Sequence, residues 1–163
     1  MARRYLHIAT SVLIAGLLGT APQVAIGQKA RISGLSDVAF GSISNLSTDI
    51  TQAQNLCAFT QSVTGNYLVT AAGSGTGSAF ALSSGPAQLA YEVQWASSPN
   101  QLSGNPLTTG VPLTGVPSSA TQQTCNAGPT SSASLIVILR ASQLGAAQAG
   151  SYSGALTLMI TPE

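Results

Sequence analysis

The chain has 163 residues, of which 44% are hydrophobic and only 6% are charged, and its formal net charge is +1. Soluble domains usually carry about 25% charged residues. This composition excludes nucleic-acid binding through a basic surface, which needs many Lys and Arg side chains, and it excludes a charge-driven disordered chain. The length favours a single domain.

The first 27 residues have the pattern of a signal peptide. Two arginines precede an apolar stretch, Tyr5–Gly19, and small residues at Ala25 and Gly27 fit cleavage after Gly27. The predicted organisation is therefore a leader, 1–27, and an exported domain, 28–163. Because a membrane span needs about 20 apolar residues, we expect no stable span after leader removal. An uncleaved N-terminal anchor is the alternative.

Apolar and polar residues alternate along the mature domain, as they do in strands with one buried face. Val38 and Phe40 form the first short inward pair. Cys57 and Phe59 share a face in the next run, which predicts that this cysteine points inward. Turns rich in Gly, Ser and Pro separate the runs, so the sequence predicts an all-β sandwich or barrel.

Three later runs give the clearest alternation. They begin near Asn66, at Gln88 and near Tyr152, and their predicted inward residues are Tyr67, Val69 and Ala71, then Leu89, Tyr91, Val93 and Trp95, then Tyr152, Gly154, Leu156, Leu158 and Ile160. These positions make Tyr67, Tyr91 and Trp95 predicted core aromatics, with a sugar-binding face as the alternative.

The remaining segments predict less regular structure. Leu135–Leu139 is apolar on both faces, so we expect a second sheet on one side and a loop or another chain on the other. Prolines in the similar segments 106–111 and 112–116 favour an edge strand or an extended loop. The only helical pattern after the leader is at most about one turn within Ala141–Ala149.

The two cysteines, Cys57 and Cys125, are not in a C-x-x-C motif, and the single histidine, His7, lies in the leader. A zinc set is therefore not expected. In an exported chain, two cysteines most simply form one disulfide. Two separate buried thiols are the alternative.

Candidate catalytic residues are equally scarce. Without histidine, the usual general base for a Ser or Cys nucleophile is missing. The four carboxylates of the mature domain lie far apart in sequence, so an enzyme would need a carboxylate pair brought together by the fold. We expect no enzymatic activity, no catalytic or metal-binding residue and no cofactor.

Several segments, in this order, resemble secreted pilin-like subunits of the chaperone–usher type, in the archaic and alternative branches that include the spore coat protein U domain. Leu35–Gly41 is similar to the first strand, Cys57 with Gly65–Thr70 to the next pair, Leu89–Val93 to the mid-domain L-x-Y strand and Ala149–Leu158 to the closing strand. The resemblance implies an immunoglobulin-like β-sandwich that lacks its final strand.

The resemblance also implies a mechanism of strand addition. In such subunits a neighbour's N-terminal extension fills an apolar groove beside the last strand. Here the groove would include Tyr152, Leu156, Leu158 and Ile160. The implied partners are a periplasmic chaperone, an outer-membrane usher and other pilin subunits, and the implied location is the periplasm and then a cell-surface fibre.

The segment that would serve as donor is short. Only Gln28–Gly34 precede the expected first strand, with Ala30 and Ile32 as candidate donor residues. Either this segment overlaps the first strand or the chain only accepts a strand. The alternative function is a self-sufficient secreted β-sandwich binding module, such as an adhesin or a lectin-like domain.

Overall fold

The computed structural model describes residues 27–163, so the predicted leader lies outside the described residues except for Gly27. In this range, no helix is both long and apolar enough to cross a membrane. The strands are β1 (Lys29–Ser33), β2 (Ile50–Gln61), β3 (Asn66–Gly73), β4 (Ala81–Ser84), β5 (Ala87–Ala90), β6 (Glu92–Ala96), β7 (Asn105–Pro106), β8 (Leu113–Pro117), β9 (Ala133–Leu139) and β10 (Leu156–Pro162). The helices are α1 (Ala141–Ala146) and a 3-10 turn, Thr76–Ser78.

Two antiparallel sheets form a sandwich, in agreement with the predicted immunoglobulin-like all-β class. The first sheet has the order β1-β2-β9-β6-β7, the second has the order β10-β3-β8, and β4 and β5 form a separate two-stranded ribbon. Strand β7 contains Pro106, and strand β8 begins directly after Pro112. Both strands lie at sheet edges, where a missing N–H donor is tolerated. This confirms the prediction made from the prolines of segments 106–116.

The core lies between the two sheets, where the predicted inward residues meet. Tyr67 from β3 and Trp95 from β6 are both fully buried. Their rings pack edge to face with centroids 6.3 Å apart, and the Trp95 indole N–H donates to the Tyr67 hydroxyl at 3.1 Å. Tyr91 is also buried and stacks on Phe80. The three predicted core aromatics are therefore in the core.

The run from Gln88 to Trp95 is divided between two partners. The β5 part pairs with β4, whereas the β6 part pairs with β9. At the junction, the Tyr91 N–H donates to the Phe80 carbonyl. Side-chain alternation continues through this change of partner, which explains why the sequence pattern does not reveal it.

All seven residues of β9 are buried. One face joins the main core. On the other face, loop 97–104 donates backbone N–H groups to the side chains of Asn55, Ser134 and Gln94, and these residues surround the fully buried Ile136. A loop thus covers the second face, as the two-sided apolar pattern predicted.

Cys57 and Cys125 form a disulfide, which confirms the predicted bridge. The prediction that Cys57 faces the core is wrong, because Leu56 and Ala58 are the β2 residues that join the core. Cys57 points to the other side of β2 and is buried by loop 118–132, which carries Cys125. Burial by a loop looks the same as core burial in an apolar sequence pattern.

Two local predictions need correction. Leu35–Gly41 is not a strand, and the first strand is Lys29–Ser33, which pairs with β2. Extended backbone forms a strand only when it can pair with a neighbouring strand. Because β1 already pairs with the edge of β2, Leu35–Gly41 has no strand to pair with there. The helical turn predicted after Arg140 is longer than one turn, because the Asp49 carboxylate accepts the Ala141 N–H and Leu144 is buried.

Candidate functional site

Strand β10 has a partner on one edge only. It pairs with β3 from Leu156 opposite Gly73 to Pro162 opposite Tyr67, and it ends the second sheet. The inward residues of β3 are fully buried, whereas those of β10 remain half-buried. The core is therefore incompletely covered along β10.

A second unpaired length of backbone lies near this edge. We call residues 35–46 the wall segment. Residues 37–44 form no hydrogen bond, through backbone or side chain, with any other described residue. Half-buried Val38, Phe40 and Ile43 pack against the core. The segment is thus held there by apolar contacts and not by a sheet.

Between the wall segment and β10 lies a groove of about 1350 Å³. Its floor is apolar and comes from both sheets and the ribbon, with Leu89, Tyr91, Leu135, Val137, Leu139, Leu156 and Leu158 among the lining residues. Residues 147–155, which join α1 to β10, also line it. Asp37 is the only charged residue in the lining among the described residues. Such a surface suits an apolar segment whose own backbone can form hydrogen bonds.

The predicted acceptor residues divide into two groups. Tyr152, Leu156 and Leu158 line the groove, and the Tyr152 hydroxyl donates to the Gln148 carbonyl at 3.0 Å. Ile160 faces inward on the same strand and packs against the core, but it does not line the groove. Strand β10 also lies close to strands β1 and β2 of the first sheet, but it forms no sheet pairing with them.

The candidate donor residues lie in the chain's own sheet. Ala30 pairs with Thr60 and Ile32 pairs with Ala58, and Ile32 packs against the core. In this arrangement β1 completes the edge of its own first sheet. For these two residues to enter another subunit, β1 would have to leave β2.

Sequence reasoning missed the residue that holds the wall segment. The Ser36 N–H and hydroxyl donate to Gln54 Oε1 at 2.9 Å and 3.0 Å, and Gln54 Nε2 donates to the Ser36 carbonyl at 3.0 Å. A usable signal was present, because Gln52 and Gln54 are polar at inward positions of β2, opposite Val137 and Leu135. Inward polar residues need partners.

An ion-pair cluster holds Asp49, which lies three residues after the end of the wall segment. Arg140 pairs with Asp49 and with Glu92. Hydrogen bonds from Ala141 and Arg140 lower the pKa of Asp49, and the hydrogen bond from Arg140 lowers that of Glu92. The hydrogen bonds to Glu92 and then Asp49 raise the pKa of Arg140. The hydrogen bond from the Ala141 N–H and the ion pair with Arg140 fix the position of Asp49. Because the charged side chains are largely exposed, their ion pairs contribute little to the stability of the fold.

No protein-family model matches the chain. No curated protein matches it either. Among solved structures, it is similar to a chain in the crystal structure of the CsuC–CsuE chaperone–tip adhesion subunit pre-assembly complex from archaic chaperone–usher Csu pili of Acinetobacter baumannii, with 19% identity and a TM-score of 0.40. The match covers 82% of this chain but 39% of that chain, so this chain spans about two-fifths of the length of the other. A similarity of this size carries no argument about this chain.

Proposed function

We propose that this protein is a structural subunit of a secreted surface fibre and that its groove accepts a β-strand from another polypeptide. The observation that carries the proposal is that the free edge of β10 and the unpaired backbone of residues 37–44 lie on two sides of one apolar groove. A strand entering there gains main-chain hydrogen bonds and buries alternate apolar side chains. Sheet edges left without cover are normally protected, so an uncovered apolar edge favours a partner.

The size of the groove favours a peptide segment over a small ligand. Small-molecule pockets usually enclose about 300–1,000 Å³, whereas this groove encloses about 1350 Å³. Among the described residues, its lining holds one charged side chain, Asp37, and no group of three or more side chains that could bind a metal ion. We therefore propose a structural role and no enzymatic one.

The partners follow from the same chemistry. An apolar groove must be covered during export, so the proposal includes a periplasmic chaperone as first occupant, an outer-membrane usher as assembly site and another pilin subunit as final occupant. The location is then the periplasm and later the cell surface. The finer assignment, to the archaic and alternative branches that include the spore coat protein U domain, rests on the sequence resemblance alone.

A fused strand tests the proposal. We append a flexible Gly-Ser linker and a strand of about twelve residues, with Val and Thr in alternation, after Glu163, so that the strand is long enough to reach Leu156. Several apolar side chains then enter the groove, and each stabilises by about 1.5–3 kcal/mol when fully buried. We expect Tm to rise by about 10 °C or more, measured by circular dichroism on the monomeric protein.

The matched control carries Asp in place of each Val in the appended strand and should leave Tm unchanged. If the Val/Thr strand also leaves Tm unchanged, and the unfused protein is a soluble monomer with one cooperative transition, the fibre proposal fails. The self-sufficient binding module then becomes the better description.

A further inference from the structure

Gln54 acts on the wall segment as a neighbouring strand would. A strand partner offers one acceptor and one donor to each residue that it pairs with. The Gln54 amide offers both to Ser36, with a third bond to the Ser36 hydroxyl. The Gln54 side chain thus supplies the two hydrogen bonds that a paired strand residue would supply to Ser36, three residues after the end of β1.

We call this Gln54–Ser36 contact the clamp. Between the clamp and Asp49, the wall segment is positioned by the partial apolar contacts of Val38, Phe40 and Ile43 with the core. Residues 37–44 make no hydrogen bonds to the rest of the described chain. Gly34 and Gly41 have positive φ angles of 79° and 66°, so the backbone bends on both sides of Val38. Val38 and Phe40 are only half-buried in the present position. Without the clamp, fuller burial of these two side chains favours a position of the wall segment closer to the apolar floor.

We propose that Gln54 is a positioning residue that holds the wall segment away from the floor, so that an incoming strand can fit between it and β10. This inference rests on the proposed function, since it assigns the residue that keeps that groove accessible. Gln54 acts through Ser36 and need not touch the incoming strand. Its loss lowers the affinity for a strand without lowering the stability of the fold.

Peptide binding to purified wild-type protein and to its single-residue variants tests this role. The probe is a fluorescein-labelled peptide of about nine residues, with alternating Val and Thr and a Lys at each end, and Kd is measured by fluorescence anisotropy. Gln54→Met keeps the length of the side chain and removes all three bonds. We expect Kd to rise about tenfold, with the midpoint of urea unfolding unchanged.

Gln52→Met is the matched control. Gln52 lies two residues earlier on the same face of β2 and makes no side-chain hydrogen bond within residues 27–163, so its replacement should leave Kd unchanged. Gln54→Glu keeps the two bonds that the side chain accepts and loses the one that it donates. Its Kd should lie between those of wild type and Gln54→Met.

Each outcome decides the inference. If wild type and Gln54→Met bind the peptide equally well, the positioning role is wrong while strand acceptance stands. If Gln54→Met does not fold, Gln54→Glu replaces it, and an unchanged Kd for that variant overturns the role. If wild type does not bind the peptide and the appended strand gives no rise in Tm, the proposed function is wrong, and the positioning role of Gln54 is wrong as well.

Discussion

At the scale of single residues, the Tyr67–Trp95 contact links the two sheets. Strand parity predicts that both rings are buried, but it cannot predict that they meet, because they come from strands of different sheets. The hydroxyl of Tyr67 is the acceptor of the buried indole N–H. A buried donor without an acceptor destabilises a fold by about 1–3 kcal/mol.

Tyr67→Phe removes that acceptor and should lower the free energy of unfolding by about 1–3 kcal/mol in urea titrations at pH 7. Tyr91→Phe is the control. The Tyr91 hydroxyl makes no hydrogen bond to another described residue, so its removal should change stability by less than about 0.5 kcal/mol. Equal losses in the two variants would contradict the role of the hydrogen bond.

The same residue predicts a pH dependence. Burial raises the pKa of Tyr67 to about 12, whereas an unfolded Tyr titrates near pH 10. Because the folded value lies above the unfolded one, the stabilisation is complete below pH 10 and is lost as pH rises to about 12. Tyr67→Phe should flatten this part of the curve of stability against pH. If the slope of unfolding free energy against pH between pH 10 and about 12 is the same in the variant and in wild type, Tyr67 is not the source of this pH dependence.

At the scale of elements, β10 and β3 pair along their whole length yet differ in burial. The inward side of β3 is covered completely, whereas Leu156 and Leu158 of β10 face the groove. Their alternation is visible in the sequence and predicts the strand. The missing neighbour is visible only in the sheet order.

Leu158→Asp places a carboxylate on the groove floor, where an incoming strand would bury it without a partner. In the protein with the appended Val/Thr strand, we expect this variant to lose most of the gain in Tm. Met159→Asp is the matched control, because Met159 is the next residue of β10 and is 57% exposed on the outer face. A full gain in Leu158→Asp would show that the strand binds elsewhere.

The wall segment marks the limit of sequence-based prediction. Val38 and Phe40 have strand spacing, and their apolar contacts with the core follow from it. Whether their backbone pairs depends on a partner, and the part of the chain that the structure describes offers none. Strand β1 occupies the edge of β2, and the groove separates residues 37–44 from β10. The polar inward positions of Gln52 and Gln54 indicate that these side chains need partners. They do not predict that Gln54 binds Ser36, because that contact depends on the backbone bend at Gly34.

At the scale of the whole molecule, the disulfide connects two parts of the chain that sheet pairing leaves apart. Cys57 lies on β2, and Cys125 lies in the long loop before β9, at a sequence separation of 68. The two cysteines alone predict the bridge in an exported protein. The side of β2 on which it lies could not be predicted, because loop 118–132 gives no regular pattern.

Replacing both cysteines by Ala should lower the free energy of unfolding by about 4 kcal/mol, because a loop of this length constrains the unfolded chain strongly. Urea unfolding of the double variant, compared with oxidised wild type, measures the difference. The folded double variant should still bind a strand in the groove, since neither cysteine lines the groove. A loss below about 1 kcal/mol would mean that the bridge constrains the unfolded state little.

Hydrogen–deuterium exchange tests most directly whether the groove accepts a strand. Backbone amides are compared in the protein with the appended Val/Thr strand and in the Asp-containing control. The strand should slow exchange at the outward-facing amides of β10 and along residues 37–44 together, because it pairs with the free edge of β10 and with the unpaired backbone of residues 37–44. If exchange in these two segments is the same in both proteins, or slows only elsewhere, strand acceptance at this groove is contradicted.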